Sequence, residues 1–170
     1  RVTKTFWSLD ADLAYTKHFP SINWLTSYSL YAPNFEDFWA KEIAPDFADV
    51  RKKAMTLLEQ ESKLLEIVRL VGMESLSNGD RLVLKVAGMI REDFLFQNAF
   101  DPDDAYTPLK NQYGLLKSIM VFFEAGQAVV NKPDFDFKDF ADMKSLAGYT
   151  DLKANTKATP EVYQSYQDEA

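Results

Sequence analysis

The sequence has no cysteine and a single histidine, His18, among its 170 residues. Without thiols there are no disulfides and no thiolate metal sites, which fits an intracellular setting. One imidazole cannot build a multi-histidine zinc centre. The six glycines are scattered, and none stands in the GxGxxG or GxxxxGK(S/T) spacing that cradles phosphates on backbone N–H groups. There is also no Gly-x-Ser-x-Gly elbow to present a nucleophilic serine. No apolar run approaches the roughly 20 residues a bilayer span needs, and no stretch has the layout of a signal peptide. Positive charge is scarce: 19 Lys and Arg face 26 Asp and Glu, for a net charge of −7. With no local basic patch either, a nucleic-acid surface is excluded as a reading.

What remains is ordinary globular material, 46% hydrophobic and 26% charged, long enough for one domain or a small core with extensions. The opening "RVTKTFWSLD" carries no initiating Met and reads directly into a strand of β-branched and aromatic residues, as expected of a piece of a longer chain. The following "ADLAYTKHFPSINWLTSYSLYAPN" has no sustained period. An irregular stretch of that length implies a functional loop or a missing neighbour.

From Phe35 the chain turns helical. Val50, Leu57, Leu64 and Val71 recur every seven residues, with Ala54, Leu58, Leu65 and Val68 beside them. Lys52, Lys53, Glu59, Gln60, Lys63 and Glu66 take the opposite side, which predicts a long amphipathic helix ended by Gly72. After the turn "MESLSNGD", Ser77 and Asp80 have the spacing of a capping box and lead into the stripe Val83, Val86, Ala87, Ile90 and Phe94. The two helices should pack antiparallel. Thr107-Pro108 predicts the cap and first residue of a third helix, with Tyr113, Leu116, Met120 and Phe123 on its core face. A fourth short helix is expected through Phe137, Phe140 and Met143 up to Gly148, and a tail helix after Thr159-Pro160. The expected fold is therefore mainly α, a helical bundle with a short strand and loop at its N-terminal side.

Few side-chain groups suggest chemistry. Asp101, Asp103 and Asp104 begin like a calcium loop, but Ala105, Tyr106 and Gln112 stand where a ligand, the glycine and the closing acid belong. A solvated acidic turn is the simpler reading. Asp10 and Asp12 could meet His18 at a metal, although a lone histidine more often serves a hydrogen bond. The aromatics are more informative. Phe94 keeps register with Ile90, whereas Phe100 and Tyr106 fall after the period has ended, around Pro102, and Phe19 precedes Pro20 in the N-terminal loop. Flat rings on loops suit a planar ligand, while packing against local chain explains them on residue chemistry alone.

Three blocks decide more than any one residue. "FWSLDADLAYTKHFPSINWLTSYSLY", "LLEIVRLVGMESLSNGDRL" and "IREDFLFQNAFDPDDAYTPL" resemble, in order and spacing, the C-terminal part of the catalytic A subunit of archaeal (A-type) and vacuolar (V-type) rotary ATPases. The resemblance runs from about Thr5 to Val130. It implies that residues 1–31 are the C-terminal edge of a nucleotide-binding domain and residues 32–170 a C-terminal helical domain. It further implies an adenine pocket formed by Phe19, Pro20, Phe100 and Tyr106. The turn Met73, Glu74, Ser75, Leu76, Ser77, Asn78, Gly79 and Asp80 maps onto the loop that pushes the rotating shaft. In related F-type enzymes that loop is densely acidic. Here only Glu74 and Asp80 keep the acidity, so any push would be steric, with the helix from Asp80 to Phe94 as a rigid lever between shaft and nucleotide. Relatives commonly carry two basic residues before the histidine, where this chain has Thr16 and Lys17.

The family's cofactors are ATP or ADP with Mg, and its partners are the central-stalk rotor and the B subunit, in a cytoplasmic head held only indirectly at the membrane. The phosphate loop, the water-activating carboxylate and the arginine from the neighbouring subunit have no counterpart in this sequence. The chain alone is accordingly expected to be catalytically inert and to bind ATP weakly. Two alternatives stay open at this level: a freestanding helical adaptor with aromatic interface anchors, or a piece of the related non-catalytic nucleotide-binding subunit.

Overall fold

The computed structural model describes residues 3–137 and 160–169. The N-terminal region holds the only sheet among the described residues. Strand β1 (Thr5–Phe6) pairs antiparallel with β2 (Tyr28–Ser29), Thr5 opposite Ser29 and Phe6 opposite Tyr28. An isolated bridge joins Leu9 to Ile22. The expected strand is thus present but short.

The stretch between them is not wholly irregular. Asp10 accepts hydrogen bonds from the N–H groups of Asp12 and Leu13 and starts a one-turn helix, α1 (Ala11–Tyr15). Its other carboxylate oxygen accepts from Asn23 Nδ2 at 2.8 Å, so this cap is completed by a residue thirteen positions away. Lys17 follows the helix in the left-handed region at φ 62°, which turns the chain back towards the histidine.

The helical body begins with a 3-10 turn (Ala32–Phe35) and α2 (Glu36–Glu42). Helix α3 (Phe47–Val71) carries the predicted stripe and ends at Gly72, whose φ of 85° only glycine takes at little cost. A 3-10 turn (Met73–Ser75) leads to α4 (Asn78–Met89). Here Ser77 is the cap: its Oγ accepts from Asp80 N–H at 3.1 Å and donates to Asp80 Oδ2 at 2.6 Å. The predicted pair is therefore correct, although the acid bonds the serine hydroxyl rather than reaching back to its N–H.

Helix α4 does not run uniformly to Phe94. At Ile90 it widens into a π-helical segment (Ile90–Leu95), a distortion that concentrates at functional sites. The short α5 (Pro102–Ala105) follows, then α6 (Leu109–Val129). The predicted start of α6 is off by one position. Pro108 takes the cap place and Thr107 Oγ1 turns back to donate to Asp104 O. The last helix, α7 (Pro160–Glu169), packs against α6. Phe140, Met143 and Gly148, on which the fourth helix was expected, and the cap Thr159 lie outside the described residues.

The core joins α3, α4, α6 and α7. Val50, Ala54, Leu57 and Leu58 meet Leu82, Val86, Ala87 and Ile90, and α6 contributes Leu115, Leu116, Ile119, Met120 and Phe122. The face of α6 is wider than the spacing of Tyr113, Leu116, Met120 and Phe123 suggested, and Tyr113 and Phe123 are only partly buried. The stripe on α3 differs more. Its last buried residue is Glu61, and Leu65, Ile67, Leu70 and Val71 are exposed. The final ten residues of this helix reach beyond the core.

Candidate functional site

The N-terminal loop is fastened to the π segment. His18, buried, donates or accepts at both ring nitrogens: Nε2 lies 3.0 Å from Arg91 O and Nδ1 3.4 Å from Pro20 O. Its ring sits between Trp24 and the edge of Phe96. Gln97 N–H donates to Phe19 O at 2.6 Å. The Phe19–Pro20 peptide is cis. The lone histidine is therefore a structural residue, and the bonds it supports hold Phe19 and Pro20 against the segment leading to Phe100.

On the other side of the π segment, Arg91 Nε donates to Glu61 Oε1 at 3.0 Å. Burial pushes the Glu61 carboxyl up, against the opposing pull of Arg91. A second pair fixes the start of α3 to α6: Asp46 accepts from Lys117 Nζ at 2.7 Å and from Tyr113 Oη at 2.6 Å. Burial would raise the Asp46 carboxyl, but these two donors outweigh it and hold it below the usual range. Burial and the same carboxylate push the Tyr113 phenol far up.

Beyond the π segment the backbone is shaped by short polar bonds. Asn98 Oδ1 accepts from Phe100 N–H, and Asp104 accepts from Asn98 N–H. Asp104 is buried, so the acidic turn is not the solvated loop that sequence suggested. Its carboxylate organises the loop instead. The two rings this loop carries face water, Phe100 98% exposed and Tyr106 85%, and Phe19 of the N-terminal loop is half-exposed. No ring contact joins these three to one another among the described residues, and Phe100 and Tyr106 make little contact with the rest of the described chain.

Beside them lies a cleft of about 220 Å³. Pro20, Phe94, Leu95 and Gln97 line it from the N-terminal loop and the π segment, Thr107, Asn111, Gln112 and Leu115 from the start of α6, and Tyr163 from α7. Pro20 and Thr107 are the chain neighbours of Phe19 and Tyr106. Sequence reasoning named the three rings and Pro20 but missed the amides of the lining. Gln112 Nε2 is committed to Thr107 O at 2.8 Å, whereas the Gln97 and Asn111 amides make no side-chain hydrogen bond among the described residues. The volume is below the roughly 300–1,000 Å³ of complete small-molecule sites. Among the described residues no Lys or Arg lines it, and no cluster of three His, Asp or Glu could hold a metal ion. The described lining, part apolar and part amide, could take a flat ring with polar edges.

The turn expected to meet the shaft is well built. Leu76 is buried and anchors it, while Arg81 Nη2 lies 3.4 Å from Met73 O and 3.7 Å from Glu74 Oε2. Leu70 is 84% exposed and Val71 63%, with Met73 and the Glu74 side chain also in water.

The sequence signature of the C-terminal domain of V and A type ATP synthase matches residues 36–138. A V-type ATP synthase alpha chain from Thermoanaerobacter pseudethanolicus is 54% identical over 132 residues, covering 78% of this chain and 22% of that protein. The A subunit of the A-type ATP synthase from Methanopyrus kandleri is 51% identical over the same length. Its counterpart from Staphylothermus marinus is 47% identical over 153 residues, 90% of this chain and 26% of its own. The chain thus spans about a quarter or less of the length of these curated relatives.

Proposed function

Because the chain belongs to the C-terminal domain family of V and A type ATP synthases, we propose that it is part of the catalytic A subunit of an ion-translocating rotary ATPase. In that role it walls the adenine of ATP or ADP and touches the rotor. The observation that carries the first half is the exposure of Phe19, Phe100 and Tyr106, two of them chain neighbours of residues lining a cleft that also presents the amides of Gln97 and Asn111. A purine stacks on such rings whatever its phosphates do, and the amides of Gln97 and Asn111 can pair its polar edge. Residues 1–31 then belong with the nucleotide-binding domain, to which the tie between His18 and Arg91 couples the helices.

Phosphates and Mg would be held by the remainder of the subunit, which in this family supplies the phosphate loop and the carboxylate that activates water. Positioning and charge stabilisation at the terminal phosphate make up most of this catalysis, so the chain alone is inert. The B subunit completes the site with its arginine, and the assembled head lies on the cytoplasmic side, attached to the membrane only through the complex. In the complete enzyme, Phe100→Ala should raise KM for ATP by about tenfold, in line with roughly 1–3 kcal/mol per stacked base, and leave kcat nearly unchanged. An unaltered KM would remove the adenine role.

For the rotor contact, the supporting feature is the apolar tip Leu70, Val71 and Met73 on a turn with little charge. Exposed apolar groups at a braced turn fit a packing contact. Leu70→Asp combined with Val71→Asp should leave ATP hydrolysis intact and depress ATP-driven ion transport several-fold in reconstituted vesicles. Normal transport by this variant would rule out a packing contact at the tip.

A further inference from the structure

Tyr163 lies in α7, beyond the residues matched by the family signature. It is nonetheless 5% exposed and part of the central core. Its ring rests directly on the backbone of α6 at Gly114. A Cβ at that glycine would stand 2.7 Å from ring atoms Cγ and Cδ2, closer than any side chain tolerates. The fit is reinforced at Ser118, whose Oγ donates to Gly114 O, lies 3.4 Å from Tyr163 O and receives Gln167 Nε2. The same ring lines two spaces: the 220 Å³ cleft beside Pro20 and a second groove of about 430 Å³ between α6 and α7 that includes Lys117 and Gln167. Tyr163 and Asn111 are the residues that line both.

We propose that Tyr163 is the back wall of the base-binding cleft, so that docking of the C-terminal helix on α6 sets how tightly the site holds a purine. The inference rests on the adenine reading above. With Tyr163 in place, a flat base entering between Pro20 and Asn111 meets a closed apolar surface. With the ring gone or displaced, the cleft opens into the neighbouring groove. The base then loses packing on one face and water enters behind it. Phosphate contacts made elsewhere in the enzyme stay untouched, so the effect falls on nucleotide binding and not on the chemical step.

Two substitutions reach this wall from opposite sides. Tyr163→Leu keeps an apolar plug but removes the flat ring. Gly114→Ala leaves α7 unchanged and places a better helix former in α6, yet its Cβ must push the ring away. In the complete ATPase, each should raise KM for ATP by about tenfold, the scale of a lost apolar contact in a specific pocket, with kcat within about twofold of the parent. Tyr163→Phe keeps the ring and should behave as the parent. Phe100→Ala, assayed alongside, reports on the adenine reading itself. A raised KM in Phe100→Ala with parental KM in both Tyr163→Leu and Gly114→Ala would overturn the wall and leave the adenine reading standing. Parental KM in all three overturns both. A fall in kcat without a change in KM would make the tail a support for the fold and also overturn the proposal.

Discussion

Replacing Arg91 by alanine is expected to destabilise the chain by about 3 kcal/mol at neutral pH, and by only about 1 kcal/mol near pH 4. The Glu61 side chain is 6% exposed and Arg91 Nε is its hydrogen-bonding cation at 3.0 Å. Removing one partner of such a pair leaves a desolvated charge. The lower end of the usual penalty applies because the Arg91 side chain is itself 32% exposed. The pH dependence follows from the direction of the shift. Burial raises the folded carboxyl of Glu61 above its unfolded value, even with Arg91 present. The folded state therefore binds the proton more readily. The contribution of Glu61 to stability is full below the unfolded value, near 4.3, and is lost as pH rises through the folded one. Without Arg91 the folded value climbs further, so the variant loses most at neutral pH and recovers on acidification. Asp46 behaves oppositely, because its folded carboxyl is lowered and its stabilisation fades as pH falls through that value. It is present in both proteins and cancels in the difference. Urea unfolding at pH 7 and pH 4 measures this, and an equal loss at both would show that Glu61 is not an uncompensated charge in the variant.

The largest loss is expected from Phe122→Ala, about 3–5 kcal/mol. Phe122 is 1% exposed and the largest side chain in the fully buried set. The core it belongs to joins several helices that are tied by other contacts, so the vacated volume would not close completely. Set against a typical total of about 5–15 kcal/mol, this change should lower the thermal midpoint by roughly 10 °C. Phe100→Ala supplies the contrast. The same ring is deleted, but from a position 98% exposed, and the midpoint should stay within a degree or two. Differential scanning calorimetry on both variants separates a ring that holds the fold from one that waits for a ligand. A large loss at Phe100 would return it to local packing.

What could be read from sequence was what depends on near neighbours. Gly72 and the pair Ser77 and Asp80 mark a turn by their own chemistry, and both act as read. Phe100 and Tyr106 were recognisable because they fall outside the period of the preceding helix. What could not be read depends on distant chain. The stripe on α3 has the same spacing inside the core and past it, since periodicity says nothing about where the partner helix ends. Glu61 stands seven residues after Ala54 and four after Leu57, on the apolar side, but only Arg91 thirty residues on explains its burial. The cap at Asp10 needs Asn23, and the close approach of Gly114 needs Tyr163. The π segment has no local residue that announces it.

The overhanging end of α3 sets a mechanical ratio. The helix is clamped from Val50 to Glu61, eleven residue steps or about 17 Å, and projects ten further steps, about 15 Å, to Val71. A projection nearly as long as the stretch that holds it turns a sideways push at the tip into a torque on the core contacts between Val50 and Glu61. Asp46 and Lys117, which tie the start of the helix to α6, lie at the far end of that stretch. The helix is a cantilever rooted in the core.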